Sequence, residues 1–291
     1  MCWIGVALTL LAGCGGKGGD VLSQMQTSLG MGGNKGGSSG TTAEKIGQGL
    51  QAGTAEWNAL QINTQQEDAI GQSVGITLLN QTPAVSDSKL QRYVNLIGLT
   101  VATASPNPSG NYVFCVLDRP DINAFSGPNG YIFITRGAVA QMQDEAELAG
   151  VLGHEITHVC NHDGLHNVQA AAHKGALMKA LQVDDRTARA SALIGGGVDA
   201  IINNQYDQPQ EDAADVGAVK ILVAAGYDPN SYLHFLQRLQ SEQGSSPAGQ
   251  IMSTHPDINH RIANVQQQID KLHPTGGATL ADRFGQNVSL K

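Results

Sequence analysis

The feature that most constrains this chain is the segment LAGVLGHEITHVCNHD at residues 148–163. The stretch is rich in Ala and Leu and free of proline, which predicts a helix, and Asp144 can cap its N-terminus. His154 and His158 stand four residues apart, so on a helix their imidazoles project from one face. Both side chains can therefore reach a single metal ion.

The residues around the two histidines separate two interpretations. Apolar residues flank the histidines on both sides, which predicts a buried helix. The histidines could simply decorate a core helix, but unpaired buried imidazoles are costly, whereas metal ligands are not. Glu155, about 100° round the helix from His154, lies beside such an ion and can take a proton from its bound water. The pattern H-E-x-x-H therefore predicts a zinc site with Glu155 as the catalytic base.

A catalytic zinc needs a third protein ligand. Glu211 and Glu242 are the only glutamates after Glu155. Asp215 follows Glu211 by four residues and lies on the same predicted helical face. This spacing predicts that Glu211 is a ligand and that Asp215 accepts the second ring N–H of a ligand histidine. The alternative is a solvated acidic helix start, since acidic residues favour the first turn of a helix.

The composition argues against a nucleic-acid partner. The chain carries 25 acidic and 17 basic residues, for a formal charge of −8. Nucleic-acid binding depends on Lys and Arg side chains that neutralise phosphates. Aromatic residues, at 4 %, are too scarce for a base-stacking surface. The 291 residues suit one large domain or two modest ones.

The N-terminus, MCWIGVALTLLAGCGG, is apolar but too short to span a bilayer, and it resembles a secretory signal at residues 1–13. The letters LLAGC resemble a bacterial lipobox, which implies lipidation of Cys14. Gly15, in place of Asp, resembles sorting to the outer membrane, facing the periplasm. Residues 14–42 are rich in Gly and Ser and predict a flexible tether. We expect membrane contact through the lipid only.

The remaining chain predicts one mostly helical α+β domain at residues 43–273, with a loose tail at 274–291. NYVFCVLD and GYIFITRG predict two neighbouring strands, and RPDINAFSGPN between them predicts a loop. Glycines 195–197 should interrupt an Ala-rich helical stretch. Cys115 and Cys160 can pair in an oxidising compartment, but their apolar surroundings favour free, buried thiols.

Four motifs in order resemble the gluzincin metallopeptidases related to HtpX and the CAAX prenyl protease, peptidase family M48. They are INAFSGPNGYIFITRGAV, DEAELAGVLGHEITHV, EDAAD within QEDAADVGAVKILVAAGYDP, and STHPDINHRI. The resemblance spans residues 65–270 and is greatest to short lipoprotein members. It implies a zincin-like domain with a small β-sheet and an active-site helix, and one Zn²⁺ per chain.

The resemblance assigns roles to individual residues. It places the zinc ligands on His154, His158 and Glu211, the base on Glu155, and the acidic partner on Asp215. It implies that GYIFI is a substrate-binding edge strand that pairs with extended peptides, formed by Gly130, Tyr131, Ile132 and Phe133. His255 could stabilise an oxyanion or cap the zinc, and Arg261 could take part with it. Alternatively, these two residues form a turn that begins a helix and a structural ion pair.

The chain departs from the family pattern at two places. His162 and Asp163 replace the usual Arg-His, and a helix rises about 6 Å in four residues, so His162 should lie too far from the ion. Asp207 and Gln208 replace the usual Ser-Arg before the third ligand.

The function we expect is zinc-dependent endopeptide hydrolysis of misfolded or unassembled proteins in the bacterial cell envelope. Extended or unfolded polypeptides are the expected substrates. Two alternatives remain open. One is a zinc-binding periplasmic chaperone or assembly factor with little proteolysis, and the other is a lipoprotein with a merely structural zinc.

Overall fold

A computed structural model describes residues 64–167, 206–241, 255 and 257–290. The predicted signal, lipidation site and tether lie outside these residues, as do glycines 195–197. We number the described helices and strands in chain order. In this part of the chain no helix combines the length and the hydropathy that a membrane span requires.

Two helices precede the sheet. Helix α1 covers Thr64–Gln81, and α2 covers Ser88–Ala102. Asp87 caps α2, because its carboxylate accepts hydrogen bonds from the amides of the first turn. Apolar residues at helical spacing along one face of α2 are buried in the core, and they are Leu90, Tyr93, Ile97 and Val101.

The sheet has three strands. β1 (Val113–Leu117) pairs in parallel with β3 (Tyr131–Thr135), as predicted for neighbouring strands. β2 (Ala124–Gly127) pairs antiparallel with the other side of β3. The segment predicted as a loop therefore contains a strand.

The prediction that GYIFI forms the edge strand is wrong. The strand order is β1-β3-β2, so Tyr131, Ile132 and Phe133 lie on the central strand and both of its sides are paired. Gly130 belongs to the preceding turn with φ +90°, where a Cβ atom would meet the Asn111 carbonyl oxygen at 1.8 Å. Among the described residues, β2 is the edge strand on this side of the sheet, and its four residues are buried.

The predicted active-site helix is α4 (Glu145–Cys160), which follows the short α3 (Arg136–Ala140). The Asp144 carboxylate caps α4 by accepting from the Glu147 amide at 2.9 Å, as predicted. Nearly every residue of α4 is buried, because the helix packs between β2, α2 and the helices that follow it. A fully covered helix in this position fixes its side chains against the sheet.

Three further helices enclose α4. Helix α5 covers Gln208–Ala225, α6 covers Pro229–Ser241, and α7 covers Ile258–Leu272. Asp207 and Gln210 form a capping box at the start of α5. Gly226 ends that helix with φ +82°, which is the left-handed conformation that favours glycine.

The C-terminal residues are not a loose tail. Residues 281–287 form a short helix, α8 (Ala281–Asn287), and the buried Phe284 packs against the core. Ala278 pairs with Tyr227 in an isolated β-bridge. Arg283 on α8 forms an ion pair with Glu145 at the start of α4. The domain therefore continues past residue 273, and the architecture is the mostly helical α+β fold that the sequence predicted.

Cys115 and Cys160 are free thiols, as predicted. Cys115 is buried within the sheet. Cys160 is half-buried at the end of α4, where its sulfur lies 3.4 Å from the Tyr112 hydroxyl.

Candidate metal centre

Helix α4 brings His154 and His158 together. Both imidazoles are buried, and their Nε2 atoms lie 3.1 Å apart. The four-residue spacing produces this convergence, because one helical turn separates the two side chains on the same face. The rings meet nearly at right angles, at 88°.

Glu211 and His255 complete a cluster of four potential ligands. The Glu211 carboxylate, on the first turn of α5, lies 3.6 Å from His154 Nε2 and 3.5 Å from His158 Nε2. His255 Nδ1 lies 2.7 Å from Glu211 Oε1 and 3.3 Å from His154 Nε2. The donor atoms of all four residues lie within 4.8 Å of one another. The structure thus brings together the three residues predicted as ligands, and adds His255.

The outer nitrogens of the two α4 histidines both donate to carboxylates. His154 Nδ1 lies 3.0 Å from Asp215 Oδ1, and His158 Nδ1 lies 2.7 Å from Asp163 Oδ2. With Nδ1 protonated, each neutral ring presents a bare Nε2 lone pair toward the cluster. Two such acceptors converge on a carboxylate, an arrangement that a cation stabilises.

Orphaned oxygens support the same conclusion. Glu211 Oε2 and Glu155 Oε2 are buried and have no hydrogen-bond partner among the described residues. A buried carboxylate oxygen without a partner is costly, and a nearby cation removes that cost. The donor set of imidazoles and one carboxylate is typical of zinc. The residues present therefore fit a metal ion.

The Asp215 side has a fully buried network. Arg261 donates to both Asp215 oxygens at 3.0 and 2.7 Å, and the Tyr232 hydroxyl donates to Oδ1 at 2.8 Å. Burial alone would raise the pKa of Asp215, but Arg261 and His154 lower it to about 2. Burial and the Arg261 charge lower the pKa of His154 to about 4. This ring stays neutral and keeps its Nε2 lone pair.

The environment of His158 is more negative. Burial favours the neutral ring, but hydrogen bonds to Asp163 and Glu211 prevail and raise its pKa to about 9. The local field therefore favours a positive charge at this position, whether a proton or a metal ion carries it. No role was predicted for Asp163 from the sequence. The signal that could have identified it is a carboxylate five residues after a ligand histidine.

Tyr206 also escaped sequence reasoning. Its buried ring stacks on His158, with centroids 3.9 Å apart and an interplanar angle of 13°. Its hydroxyl lies 3.5 Å from the Ser126 carbonyl on β2. Tyr206 immediately precedes the N-cap of the helix that carries Glu211, and that position was the available signal.

His162 lies outside the cluster, but for a reason other than the predicted rise along a helix. Helix α4 ends at Cys160, and His162 adopts φ +57° in the turn that follows. Its side chain is 56 % exposed, and its Nδ1 atom lies 2.8 Å from Glu67 Oε1 on α1.

A cleft adjoins the cluster on the side nearer the N-terminus of α4. Apolar side chains from α4 and α6 form part of its wall, and they are Val151, Phe235, Leu236 and Leu239. His154, Glu155 and His255 border it on the side of the cluster. Glu155, whose Oε2 has no hydrogen-bond partner among the described residues, thus lies between the four-residue cluster and this cleft.

Residues 88–269 match Peptidase family M48, which is well over half of the chain. The chain belongs to this family. The matched range contains all four residues of the cluster and the whole of helix α4. The family predicted from the motifs is therefore confirmed.

Individual relatives agree with the family. The beta-barrel assembly-enhancing protease of Escherichia coli (strain K12) is 26 % identical over 234 residues, 76 % of this chain and 47 % of the relative. The mitochondrial metalloendopeptidase OMA1 of Bos taurus is 28 % identical over 184 residues, 56 % of this chain and 33 % of the relative. The chain spans about half the length, or less, of these curated relatives.

Proposed function

We propose that the chain is a zinc-dependent endopeptidase that hydrolyses peptide bonds in misfolded or unassembled cell-envelope proteins. One observation carries this proposal most. Four donor atoms converge from three separate parts of the chain. The buried Glu155 lies beside them, with Oε1 3.6 Å from His255 Nε2 and with Oε2 lacking a hydrogen-bond partner among the described residues. Membership of a metallopeptidase family supports it.

The chemistry divides between the metal and the side chains. His154, His158 and Glu211 would hold one zinc ion, which when bound polarises a scissile carbonyl and lowers the pKa of water to about 7. Glu155 accepts the proton of the attacking water on its free Oε2 and passes it to the leaving amine. Asp215 and Asp163 hold the two imidazoles in the orientation and tautomer that expose Nε2.

We infer that His255 occupies the fourth position at rest and moves aside during turnover. Its Nδ1 contacts Glu211 and His154, so an oxyanion role would require the ring to leave this place. Replacing His255 with Phe should raise peptide cleavage if the ring only caps the site. A loss of kcat would instead identify the oxyanion role.

Arg261 is a positioning residue in this scheme. It is buried, and its guanidinium lies on the Asp215 carboxylate that orients His154. Its Nε also lies 3.4 Å from Glu211 Oε2, so its contribution to catalysis acts through that histidine and through Glu211.

The substrates and the location are inferred from the relatives and the N-terminus. The E. coli relative is named for enhancing beta-barrel assembly, which is a process of the cell envelope. We propose a lipid on Cys14 that tethers the domain to the outer membrane, facing the periplasm, without a nucleic-acid partner. Metabolic labelling with a palmitate analogue tests the anchor, and Cys14→Ser should abolish the label.

One observation favours a second function, a structural zinc site. With His255 in place the cluster has four protein donors, and structural zinc is usually closed in this way. Casein cleavage by the full chain, with and without chelator, separates the two. A structural site predicts zinc in the protein and no cleavage by either wild type or Glu155→Gln. The chaperone alternative predicts that Glu155→Gln keeps full function in cells.

A further inference from the structure

In the part of the chain that the structure describes, no strand pairs with the side of β2 that faces away from β3. This side presents two main-chain carbonyls, and the first of the two residues, Ala124, borders the cleft. The Thr135 amide donates to the Asn123 carbonyl at 2.9 Å, which makes this a hydrogen-bonded pair of the antiparallel ladder. Such pairs alternate with pairs whose peptide groups point outward, so Ala124 and Ser126 direct their carbonyls away from β3. An extended peptide that added to this edge would donate its amides to these two oxygens.

Both outward carbonyls face an aromatic side chain from the metal centre. His255 Nε2 lies 3.5 Å from the Ala124 oxygen, and the Tyr206 hydroxyl lies 3.5 Å from the Ser126 oxygen. The two rings lie 5.5 Å apart, centroid to centroid. The main-chain positions that a substrate needs are therefore already in contact with the enzyme's own side chains.

The start of α5 explains why a tyrosine lies here. Asp207 is the N-cap, which makes Tyr206 the residue before the cap and Glu211 the fourth helical residue. Hydrophobic side chains at these two positions often pack together, so residues there lie on the same side of a helix start. The same local geometry that delivers Glu211 to the cluster thus delivers Tyr206 to His158 and the β2 edge.

We propose that Tyr206 is a substrate-positioning residue that competes with the substrate main chain for the Ser126 carbonyl. Its hydroxyl must give up this contact before a substrate amide can take it. The substrate class follows: an extended segment with an unsubstituted amide at the position opposite Ser126, which excludes proline there. This inference rests on the proposed peptidase function.

Peptide binding tests this without relying on cleavage. The full chain, loaded with zinc, carries Glu155→Gln alone or with Tyr206→Phe, which keeps the stacked ring and removes the hydroxyl. Fluorescence anisotropy measures the Kd of a short fluorescein-labelled casein peptide and of copies each N-methylated at one position. We expect the double variant to bind about two- to tenfold tighter, the range of one net hydrogen bond. One N-methylated copy should lose this gain, as in a double-mutant cycle.

Tyr112→Phe in the Glu155→Gln background is the matched control. It removes a tyrosine hydroxyl that donates to the Asn107 carbonyl, away from the cleft, and should leave Kd unchanged. Equal or weaker binding by the Tyr206 variant, no detectable binding by either protein, or a gain that survives every N-methylation would overturn the inference. If the expected pattern appears but wild type cleaves no peptide, the proposed function fails and the inference stands.

Discussion

Helix α4 carries three buried glutamates, and two of them, ten residues apart, differ in their hydrogen bonding. Glu145, at the start of the helix, has partners for both oxygens: Tyr93 and Tyr227 donate at 2.6 Å, and Arg283 adds an ion pair. Glu155 has an oxygen with no partner among the described residues. Both side chains are almost inaccessible to solvent.

The difference separates stability from reactivity. A buried carboxylate that is fully hydrogen-bonded anchors the elements that donate to it, here α2, α8 and the turn after α5. A buried carboxylate left unsatisfied stores free energy that a proton or a cation can release. Helix α4 thus stabilises the fold through its first residue, Glu145, and provides the proposed base through its eleventh residue, Glu155.

The largest effect is expected from Glu155→Gln. The amide cannot accept the proton of the attacking water, so kcat should fall by about 10² to 10⁴. The melting temperature should not fall, because the substitution removes an unsatisfied buried charge. Casein cleavage and thermal denaturation of the same preparation check both parts. A variant that kept wild-type kcat would remove Glu155 from the mechanism.

Glu145→Gln should show the opposite profile. Loss of the charge weakens the hydrogen bonds from Tyr93, Tyr227 and Arg283, so the free energy of unfolding should fall by about 3 kcal/mol, while kcat per folded molecule stays unchanged. Urea denaturation measures the first quantity and cleavage at low temperature the second. Reduced kcat in a fully folded variant would show that the two glutamates are not independent.

The same site predicts a pH dependence of stability. Burial would raise the pKa of Glu145, but the bonds from Arg283, Tyr227 and Tyr93 lower it below 4.5. A lowered folded-state pKa stabilises the protein above about pH 4.5, and this stabilisation is lost as pH falls through the lowered value. Glu145→Gln should therefore flatten the acid side of the stability curve. An unchanged acid side would contradict this assignment.

A third buried carboxylate should act through the metal ligand it touches. Asp163→Asn removes the acceptor charge at His158 Nδ1, so zinc affinity should fall about 10- to 100-fold. Competition with a fluorescent chelator measures this, and the half-exposed Asp212 on α5 provides Asp212→Asn as the control. Equal affinities for the two variants would mean that Asp163 does not support the ligand.

Arg283→Gln should have the smallest effect. Its side chain is 51 % exposed, and the two tyrosines still donate to Glu145 in the variant. The free energy of unfolding should therefore fall by only about 1 kcal/mol. Urea denaturation in low and high salt measures it, and added salt should narrow the difference. A loss of unfolding free energy as large as that of Glu145→Gln would show that the ion pair, and not the carboxylate with its tyrosine partners, supplies most of the stabilisation.

Local rules predicted much of the fold and part of the site. Spacing on single helices identified His154, His158, Glu211 and Asp215, and the cap at Asp144 follows from residue type. Strand pairing was harder to predict, because an apolar run indicates that a strand forms but not which strands it pairs with. The strand that begins at Tyr131 was therefore predicted at the edge of the sheet, although it is the central strand. β2, only four residues long, was predicted as a loop.

The missed features depend on contacts across the fold. Asp163 reaches His158 because α4 ends at Cys160 and the chain turns back, whereas the sequence pattern suggested a longer helix. The glycine-rich C-terminal residues suggested a loose tail. The ion pair between Arg283 and Glu145, which shows that these residues are anchored to α4, is visible only in the folded structure. No periodicity within a segment encodes such partners.

The most direct test of the account is zinc content measured together with casein cleavage during stepwise chelation of the full chain. If His154, His158 and Glu211 hold a single catalytic ion, cleavage should fall in proportion to zinc, from one ion per chain to none. It should return when zinc is added back. Cleavage that persists after the last zinc is removed, or full cleavage with far less than one ion per chain, would contradict it.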